Sequence, residues 1–525
     1  MIYYNKEYGG ERAAMELYRW QRECMNAWQG NGCRGILNVA TGAGKTRFAL
    51  AAIQALRQRH PNLEVRVVVP TIALARQWLT ALTHGAPSEA WRPGLFGGGR
   101  RDDGNHRVTV YVVNSAREAL PAHMRRAFAL GHPVLLICDE CHHYRSPQNR
   151  RVFDFVTPQV LSGSLYASLG LSATPFDGEG DGTLKRALGD EIYRYGIDEA
   201  VTDGVLSAFT VCEVSAPFND EEARAYQALT DKLIRLLNQL LESFPFLKPM
   251  GSAARLRAIR RLARDAGMDP EDPAVAFMLL LYRRKEVSVL AEARMRCCLE
   301  LLTRLEKGGR VLVFCERIAQ AEETAAMLRR NLGSGVGIYH SDLSASARAR
   351  NLERFRTGEV CVLVSCRCLD EGIDVPEARY GIVLSGSAVP RQRIQRLGRI
   401  IRTAPGKEAA CLYYIYIRQS ADDAAFLPGL EQCETFGLRY YAGERSFSNE
   451  PYELAASELL SRAEGFEPSS LRELRDCLVE GQTRADCLLP PAAQERHIRA
   501  AATVHERNYW RCMKKIGGML RGTKT

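Results

Sequence analysis

The residues with the clearest chemical potential lie between Gly35 and Leu56. An apolar run, Gly35 to Ala40, leads into Thr41-Gly42-Ala43-Gly44, which Lys45 and Thr46 close before a helix-forming run from Phe48 to Leu56. A strand feeding a glycine-rich turn feeding a helix is a phosphate cradle: Gly42 and Gly44 let backbone amides approach, and the helix N-terminus adds partial positive charge. In such a cradle Lys45 reaches β and γ phosphates and Thr46 ligates Mg2+. The general form of this loop has Gly where this chain has Val39, so an ordinary glycine-rich turn is the plain alternative. A second stretch, Pro133 to Cys138, reads as a buried strand that delivers Asp139 and Glu140 at its C-terminal end. Asp139 can hold Mg2+, Glu140 can orient and deprotonate an attacking water, and His142 would face the γ phosphate. Cys138, Cys141, His142 and His143 superficially fit a zinc cluster, but Cys138 belongs to the strand interior and no second ligand pair follows at finger-like spacing.

These groups need a scaffold of several domains, and 525 residues exceed what one core usually serves. Short apolar runs alternate with helical patterns from Gly35 to about Phe209, with strands expected at Arg66 to Pro70, Val108 to Val113, Val134 to Cys138 and Tyr166 to Leu171. A second such series has Val311 to Cys315, Gly335 to Tyr339, Val360 to Ser365, Tyr380 to Leu384 and Ala410 to Ile417. Between them, Asn219 to Glu306 turns helical, with a break at Phe244 to Gly251. After about Gly429 the strands are expected to stop and short helices to follow. The boundaries read as 1–215, 216–306, 307–430 and 431–525. The formal charge of +10 favours a polyanionic partner. The 16 scattered cysteines read as reduced thiols of a cytoplasmic protein, and neither export nor membrane insertion is expected.

With the motifs taken in order, the chain resembles superfamily 2 helicases of the DExH type over most of Leu17 to Arg402. Leu17, Trp20 and Gln21 resemble the segment that reads adenine, with Gln21 as the contact. The stretch from Ala40 through Thr41, Gly42, Ala43, Gly44, Lys45 and Thr46 matches the family's phosphate loop, which tolerates residues other than Gly at the place of Val39. Pro70, Thr71, Leu74, Gln77 and Trp78 resemble the motif whose Thr holds a nucleic-acid phosphate, and Asn114 with Ser115 the next backbone contact. Leu171 to Pro175 resembles the coupling motif, where Ser172 and Thr174 would bond across to the turn from Asp139 to His142. In the second series, Val311 to Glu316, then His340, Ser341 and Leu343, resemble parts of the sugar-phosphate track. Ser365 with Leu369 to Pro376 resembles the element that touches nucleic acid and ATP through Gly372 and Asp374. Gln395 to Arg402 is the most telling: the resemblance implies that Arg399 and Arg402, with Gln395 in the same motif, arrive from the second lobe to neutralise charge on the γ phosphate.

The resemblance implies an α/β fold of two RecA-like parallel-sheet lobes, with a helical insertion between them and a helical C-terminal region. It implies ATP and Mg2+ as cofactors and nucleic acid as partner. Gly170 to Gly182, Tyr193, Asp198 to Val201 and Gly204 to Ala208 resemble the XPB, RadD and restriction-translocase neighbourhood, whose members mostly act on DNA, so DNA is favoured over RNA. The Arg-Glu-Asp signature of XPB-type proteins is absent, since Phe176 to Gly182 reads Phe-Asp-Gly-Glu-Gly-Asp-Gly. The alternatives are a motor subunit of a restriction, antiphage or repair assembly that remodels DNA without unwinding it, and an RNA helicase. In the insertion, Arg257, Arg260, Arg261 and Arg264 share one helical face; they can track phosphates or pair as a solvated face with Asp265, Asp269 and Glu271. In the tail, Tyr509, Trp510, Arg511, Lys514, Lys515 and Arg521 can dock nucleic acid or a protein partner, or Trp510 can pack on the preceding helices.

Overall fold

The computed structural model describes residues 16–84, 91–102, 106–176, 181–267, 269–305, 308–366, 375, 377–385, 390–404, 407, 409–418, 420, 434–441, 446–448, 489–501, 510–511 and 513–514. The chain forms two compact units. The first is Met1–Ala208 together with the later segments Leu369–Glu377 and Arg391–Glu408, and the second is Phe209–Cys368, Ala378–Pro390 and Ala409–Thr525.

The first unit is built on β1 (Arg34–Val39), β2 (Glu64–Val69), β3 (Gly94–Gly97), β4 (Arg100–Arg101), β5 (Val108–Val112), β6 (Val134–Asp139), β7 (Tyr166–Ser172) and β8 (Glu191–Tyr195), in the order β4-β3-β5-β2-β6-β7-β1-β8. All neighbours are parallel except β3 and β4. Helices α1 (Arg19–Gly30), α2 (Lys45–Arg59), α3 (Ile72–His84), α4 (Val113–Ala129), α5 (Pro158–Ser162), α6 (Asp181–Leu188) and α7 (Ile197–Thr202) alternate with the strands. Helices on both faces leave the central strands no solvent side, so every residue of β6 is buried and its sequence is a continuous apolar run up to Asp139. The acidic pair therefore emerges at the C-terminal edge of a central strand, two strands away from β1 and its loop.

In the second unit β9 (Ala208–Ala216), β10 (Arg310–Cys315), β11 (Val336–Tyr339), β12 (Val362–Cys366), β13 (Ala378–Val383), β14 (Ala409–Ile417), β15 (Glu434–Tyr441) and β16 (Ser446–Ser448) run in the order β11-β12-β10-β13-β14-β9-β15-β16. The expectation that strands stop after Gly429 is thus corrected: β15 pairs parallel with β9, and β16 folds back antiparallel on β15. The strand pattern was present, since Phe436, Leu438 and Tyr440 alternate with other residues, but Gly437 interrupts it. The insertion comprises α8 (Asp220–Ser243), α9 (Ser252–Asp265) and α10 (Pro273–Leu290), and α11 (Glu292–Arg304) leads from it into the sheet. Asn219 and Glu222 cap the start of α8 reciprocally, and the other carboxylate oxygen of Glu222 accepts the Glu292 amide at 2.8 Å. The three insertion helices enclose their own core, in which Leu240, Leu247, Ile259 and Ala263 are buried. Burying Ile259 contributes roughly 2 kcal/mol, enough to fix which way α9 faces. Later in the chain come α12 (Ile318–Leu332) and α13 (Ala345–Thr357) of the second unit, and α14 (Pro390–Ile400), which from Arg391 onward belongs to the first. A further helix, Pro491–Ala500, carries His497, against which Trp510 stacks at 4.0 Å, so Trp510 packs on the preceding helix. No helix among the described residues is long and apolar enough to cross a membrane, and every described cysteine is a free thiol.

Candidate nucleotide site

β1 runs into a loop whose Gly42 and Gly44 hold φ of 90° and 95°, left-handed values that a side chain would strain. Gly44 is also the N-cap of α2, so the first turn of that helix opens toward the loop. Lys45 is buried and curls back, its Nζ donating to the carbonyls of Val39 at 3.0 Å and Ala40 at 3.3 Å. Burial holds the Lys45 ammonium below its ordinary value; Glu140 and Asp139 oppose this, while Arg402 and Arg399 push the same way as burial. The Thr41 hydroxyl is buried and has no hydrogen-bond partner among the described residues. An orphaned hydroxyl, amides at a helix start and a buried cation make a donor set that fits a polyphosphate. From α1, Gln21 donates through Nε2 to the Gly44 carbonyl at 3.0 Å and accepts the Tyr18 amide on Oε1 at 3.0 Å. One amide hydrogen and one lone pair of Gln21 remain for a ligand.

The acidic turn is anchored from α3, β2 and β7. Trp78 of α3 donates its indole N–H to Asp139 Oδ2 at 2.8 Å, and the Glu140 amide donates to Oδ1 at 3.0 Å. Glu140 adopts φ 46°, a left-handed conformation costing a non-glycine residue about 1–3 kcal/mol, and it begins a tight turn over Cys141–Arg145. The Tyr144 hydroxyl lies 2.8 Å from the Val68 carbonyl of β2 and 3.0 Å from that of Asp139. His142 Nδ1 sits 2.9 Å from Ser172 Oγ at the end of β7 and 3.4 Å from Glu140 Oε2, and the Thr174 amide donates to Ser172 Oγ at 3.1 Å. Burial raises both carboxyls above their ordinary values, and the nearby cations Lys45 and Arg399 oppose it. Cys138 and Cys141 are fully buried in the apolar core, and burial pushes both thiols up.

Helix α14 meets the phosphate loop directly. Gln395, Arg396 and Arg399 are buried. A Cβ on Gly398 would come within 2.5 Å of Thr41 Cβ, and one on Gly42 within 3.0 Å of Arg402 Cγ, so the approach of these two backbones requires glycine on both sides. The chain after α14 is stitched to the strand end before β9: Leu206 bridges Arg402, the Ser207 amide donates to the Ile401 carbonyl at 2.7 Å, and Ser207 Oγ donates to the Arg402 carbonyl at 3.3 Å. Lys407 Nζ donates to the carbonyls of Ile400 and Arg402, the latter at 2.8 Å. A loop, two carboxylates and two arginines drawn from three separated stretches of sequence thus form one electrostatic neighbourhood within the first unit.

Residues 14–177 match the family described as "Type III restriction enzyme, res subunit", and residues 293–404, which include Gln395, Arg399 and Arg402, match "Helicase conserved C-terminal domain". The chain is 29% identical over 413 residues to the DNA 3'-5' translocase XPB2 of Sulfurisphaera tokodaii, covering 78% of this chain and 83% of that protein. It is also 26% identical to the DNA 3'-5' helicase XPB of Kineococcus radiotolerans over 77% of this chain, where it spans only 60% of the relative's length. The two matched families and these relatives support a helicase or translocase of superfamily 2, an ATP-hydrolysing enzyme. The helicase domain of Hef from Pyrococcus furiosus superimposes with a TM-score of 0.50 at 16% identity, over 78% of this chain and 97% of that one, and shares the fold of two RecA-like lobes.

The remaining superfamily 2 motif positions fare differently. Thr71 precedes α3 and accepts the Leu74 amide on its hydroxyl at 3.3 Å, while Ser115 lies half-buried in the first turn of α4. In the second unit His340 is buried with Nε2 2.7 Å from Glu322, Ser341 is exposed, and Ser365 is buried inside the sheet, donating to the Val313 carbonyl at 3.1 Å. Gly372 and Asp374 lie outside the described residues. Sequence reasoning missed the Trp78 bond to Asp139, because Trp78 read as part of a nucleic-acid motif. Ser207 and Lys407 carried no signal, since their partners are backbone carbonyls.

Proposed function

We propose that this chain is a nucleic-acid-dependent ATPase that acts on DNA as a helicase or translocase, with Lys45, Asp139, Glu140, Gln395, Arg399 and Arg402 as its hydrolytic set. The observation that carries this reading is the contact of Gly398 and Arg402 with the Thr41–Gly42 loop, which brings Arg399 and Arg402 into the surroundings of Lys45. Lys45 grips the β and γ phosphates, and Gln21 reads adenine with its unused amide hydrogen and lone pair. Thr46 and Asp139 would hold Mg2+, which supplies charge neutralisation at the phosphates. Glu140 takes the proton of the attacking water, and Arg399 and Arg402 offset the charge that develops on the transferring group. His142, with Ser172 and Thr174, links Glu140 to the end of β7, and the Asp139-Glu140-Cys141-His142 order is the DExH form of the acidic motif. Thr71, Ser115, His340, Ser341 and Ser365 are the side chains proposed for the nucleic-acid track, and Gly372 and Asp374 are kept as nucleotide contacts. The relatives named as DNA 3'-5' translocase and helicase support DNA over RNA and make 3'-to-5' the polarity to test first. The match to a restriction-enzyme subunit supports a second reading, a motor subunit that translocates within a larger restriction, antiphage or repair assembly.

ATP turnover with single-stranded, duplex and forked DNA and with RNA, run beside strand displacement, separates these readings. Glu140→Gln should bind ATP normally and lose turnover by roughly 10²–10⁴-fold, the usual share of a general base. Wild-type turnover in that variant would show that another group accepts the proton.

A further inference from the structure

Helix α9 carries five arginines and no acid from Ser252 to Arg264, and the structure divides those arginines into two kinds. Arg255 is half-buried and built into the insertion: its guanidinium donates to the carbonyls of Leu247 at 3.1 Å, Lys248 at 3.2 Å and Met250 at 2.8 Å, closing the turn between α8 and α9. Arg257, Arg260, Arg261 and Arg264 are exposed, and none of their guanidinium groups makes a hydrogen bond or ion pair with another described residue. Ile259 and Ala263 on the opposite face are buried in the insertion core, so the helix cannot turn to hide the four guanidinium groups. The nearby acids Asp265 (the last residue of the helix), Asp269, Glu271 and Asp272 form no ion pair with them. Asp269 accepts the Glu271 amide at 3.0 Å, and Asp272 caps α10 through the amides of Ala274 and Val275. Like charges three and four residues apart weaken a helix, so a surface stripe of this kind has no stabilising role in the fold itself.

We propose that the exposed arginine face of α9 is a second nucleic-acid contact, outside the superfamily motifs, that grips the phosphate backbone of DNA without reading its sequence. The inference rests on the reading of the chain as a DNA motor. Arg257 and Arg264 are separated by about 10 Å along the helix at roughly 1.5 Å per residue. That length matches about three phosphates of one strand at an axial rise of roughly 3.4 Å. Exposed, unpaired guanidinium groups release the counterions of each phosphate they meet, and this is the source of the affinity.

The test is equilibrium binding of a fluorescent forked DNA to the full chain across a salt titration, with nucleic-acid-free ATP turnover as the control for folding. Arg257→Glu, Arg260→Glu and Arg264→Glu combined should weaken binding by at least tenfold at moderate salt and reduce the slope of log K against log salt by about 2–3, while basal turnover stays unchanged. The same three positions changed to Lys should keep the wild-type slope. The inference is overturned if the reversed variant binds with wild-type affinity and slope, as it would were this face reserved for an acidic protein, or if the Lys variant loses as much as the Glu variant. A wild-type chain that neither binds DNA nor is stimulated by it would instead remove the functional reading beneath.

Discussion

Asp139 has both carboxylate oxygens held by donors from different elements, and the indole of Trp78 is the less expected of the two. Trp78 lies on α3, the helix that begins directly after Thr71, so the helix proposed to contact a nucleic-acid phosphate is also tied to the residue proposed to hold Mg2+. Trp78→Phe keeps most of the aromatic volume and removes only the N–H. A hydrogen bond to a charged group contributes about 1.5–3 kcal/mol, so the carboxylate should lose its fixed rotamer, kcat should fall on the order of tenfold or more, and the Mg2+ needed for half-maximal rate should rise. The Michaelis constant for ATP should move little, because the phosphate loop is untouched. Unchanged kcat together with an unchanged metal requirement would make the indole a packing group and nothing more. The residue type and its spacing were visible in the sequence, but the partner was not, because a tryptophan on a helix gives no sign of which strand end its N–H will meet.

Among elements, those legible in advance were the apolar runs, most of them buried on both faces. β2, β5, β6, β7 and β10 to β14 each announce themselves as apolar runs, whereas β8, with only Tyr195 fully buried, and β15, interrupted by Gly437, do not. The end of α14 is a case where sequence gave the arginines but not what aims them. Lys407 donates to the carbonyls of Ile400 and Arg402, and burial, followed by the Arg402 charge, lowers its pKa from 10.5 to about 8, with Glu377 resisting. The ammonium is therefore half charged near pH 8, charged well below it and neutral well above it. A charge-assisted hydrogen bond is roughly twice as strong as a neutral one, so ATP turnover should decline several-fold on the alkaline side with a midpoint near 8. Lys407→Arg should abolish that limb, and Lys407→Gln should give a low, flat profile. Stability moves the other way: the folded pKa lies below that of the unfolded chain, so the unfolded state holds the extra proton between about 8 and 10.5, and this group makes folding more favourable as pH rises through that window. A decline in turnover unaccompanied by a fall in melting temperature is thus the expected signature, and an alkaline limb that survives in Lys407→Arg would assign it elsewhere.

Across the whole molecule, local patterns gave two parallel sheets with a helical insertion, because strand and helix periodicities are properties of neighbouring residues. They did not give the membership of the units. The chain leaves the first unit at Ala208 and rejoins it for Leu369–Glu377 and Arg391–Glu408, and what brings the last segment there is the fit of Gly398 over Thr41 and the pairing of Ser207 with Ile401. Such complementarity is invisible until both surfaces exist. It has a measurable consequence, because a ligand held by residues from Gln21 to Arg402 must stabilise both stretches of chain together. A ligand present at a hundredfold over its dissociation constant stabilises what it binds by about 2.7 kcal/mol, which corresponds to a roughly hundredfold slowing of exchange for amides that open only when the site opens. Backbone amide exchange in peptides covering Thr41 to Arg47 and Gln395 to Arg402 should therefore slow in parallel when Mg2+ and a non-hydrolysable ATP analogue are added. Both effects should vanish in Lys45→Ala, and Arg402→Ala should retain the first while losing most of the second. Protection confined to the phosphate loop, with the arginine segment indifferent to nucleotide, would mean that α14 rests on the loop without taking part in binding what the loop holds.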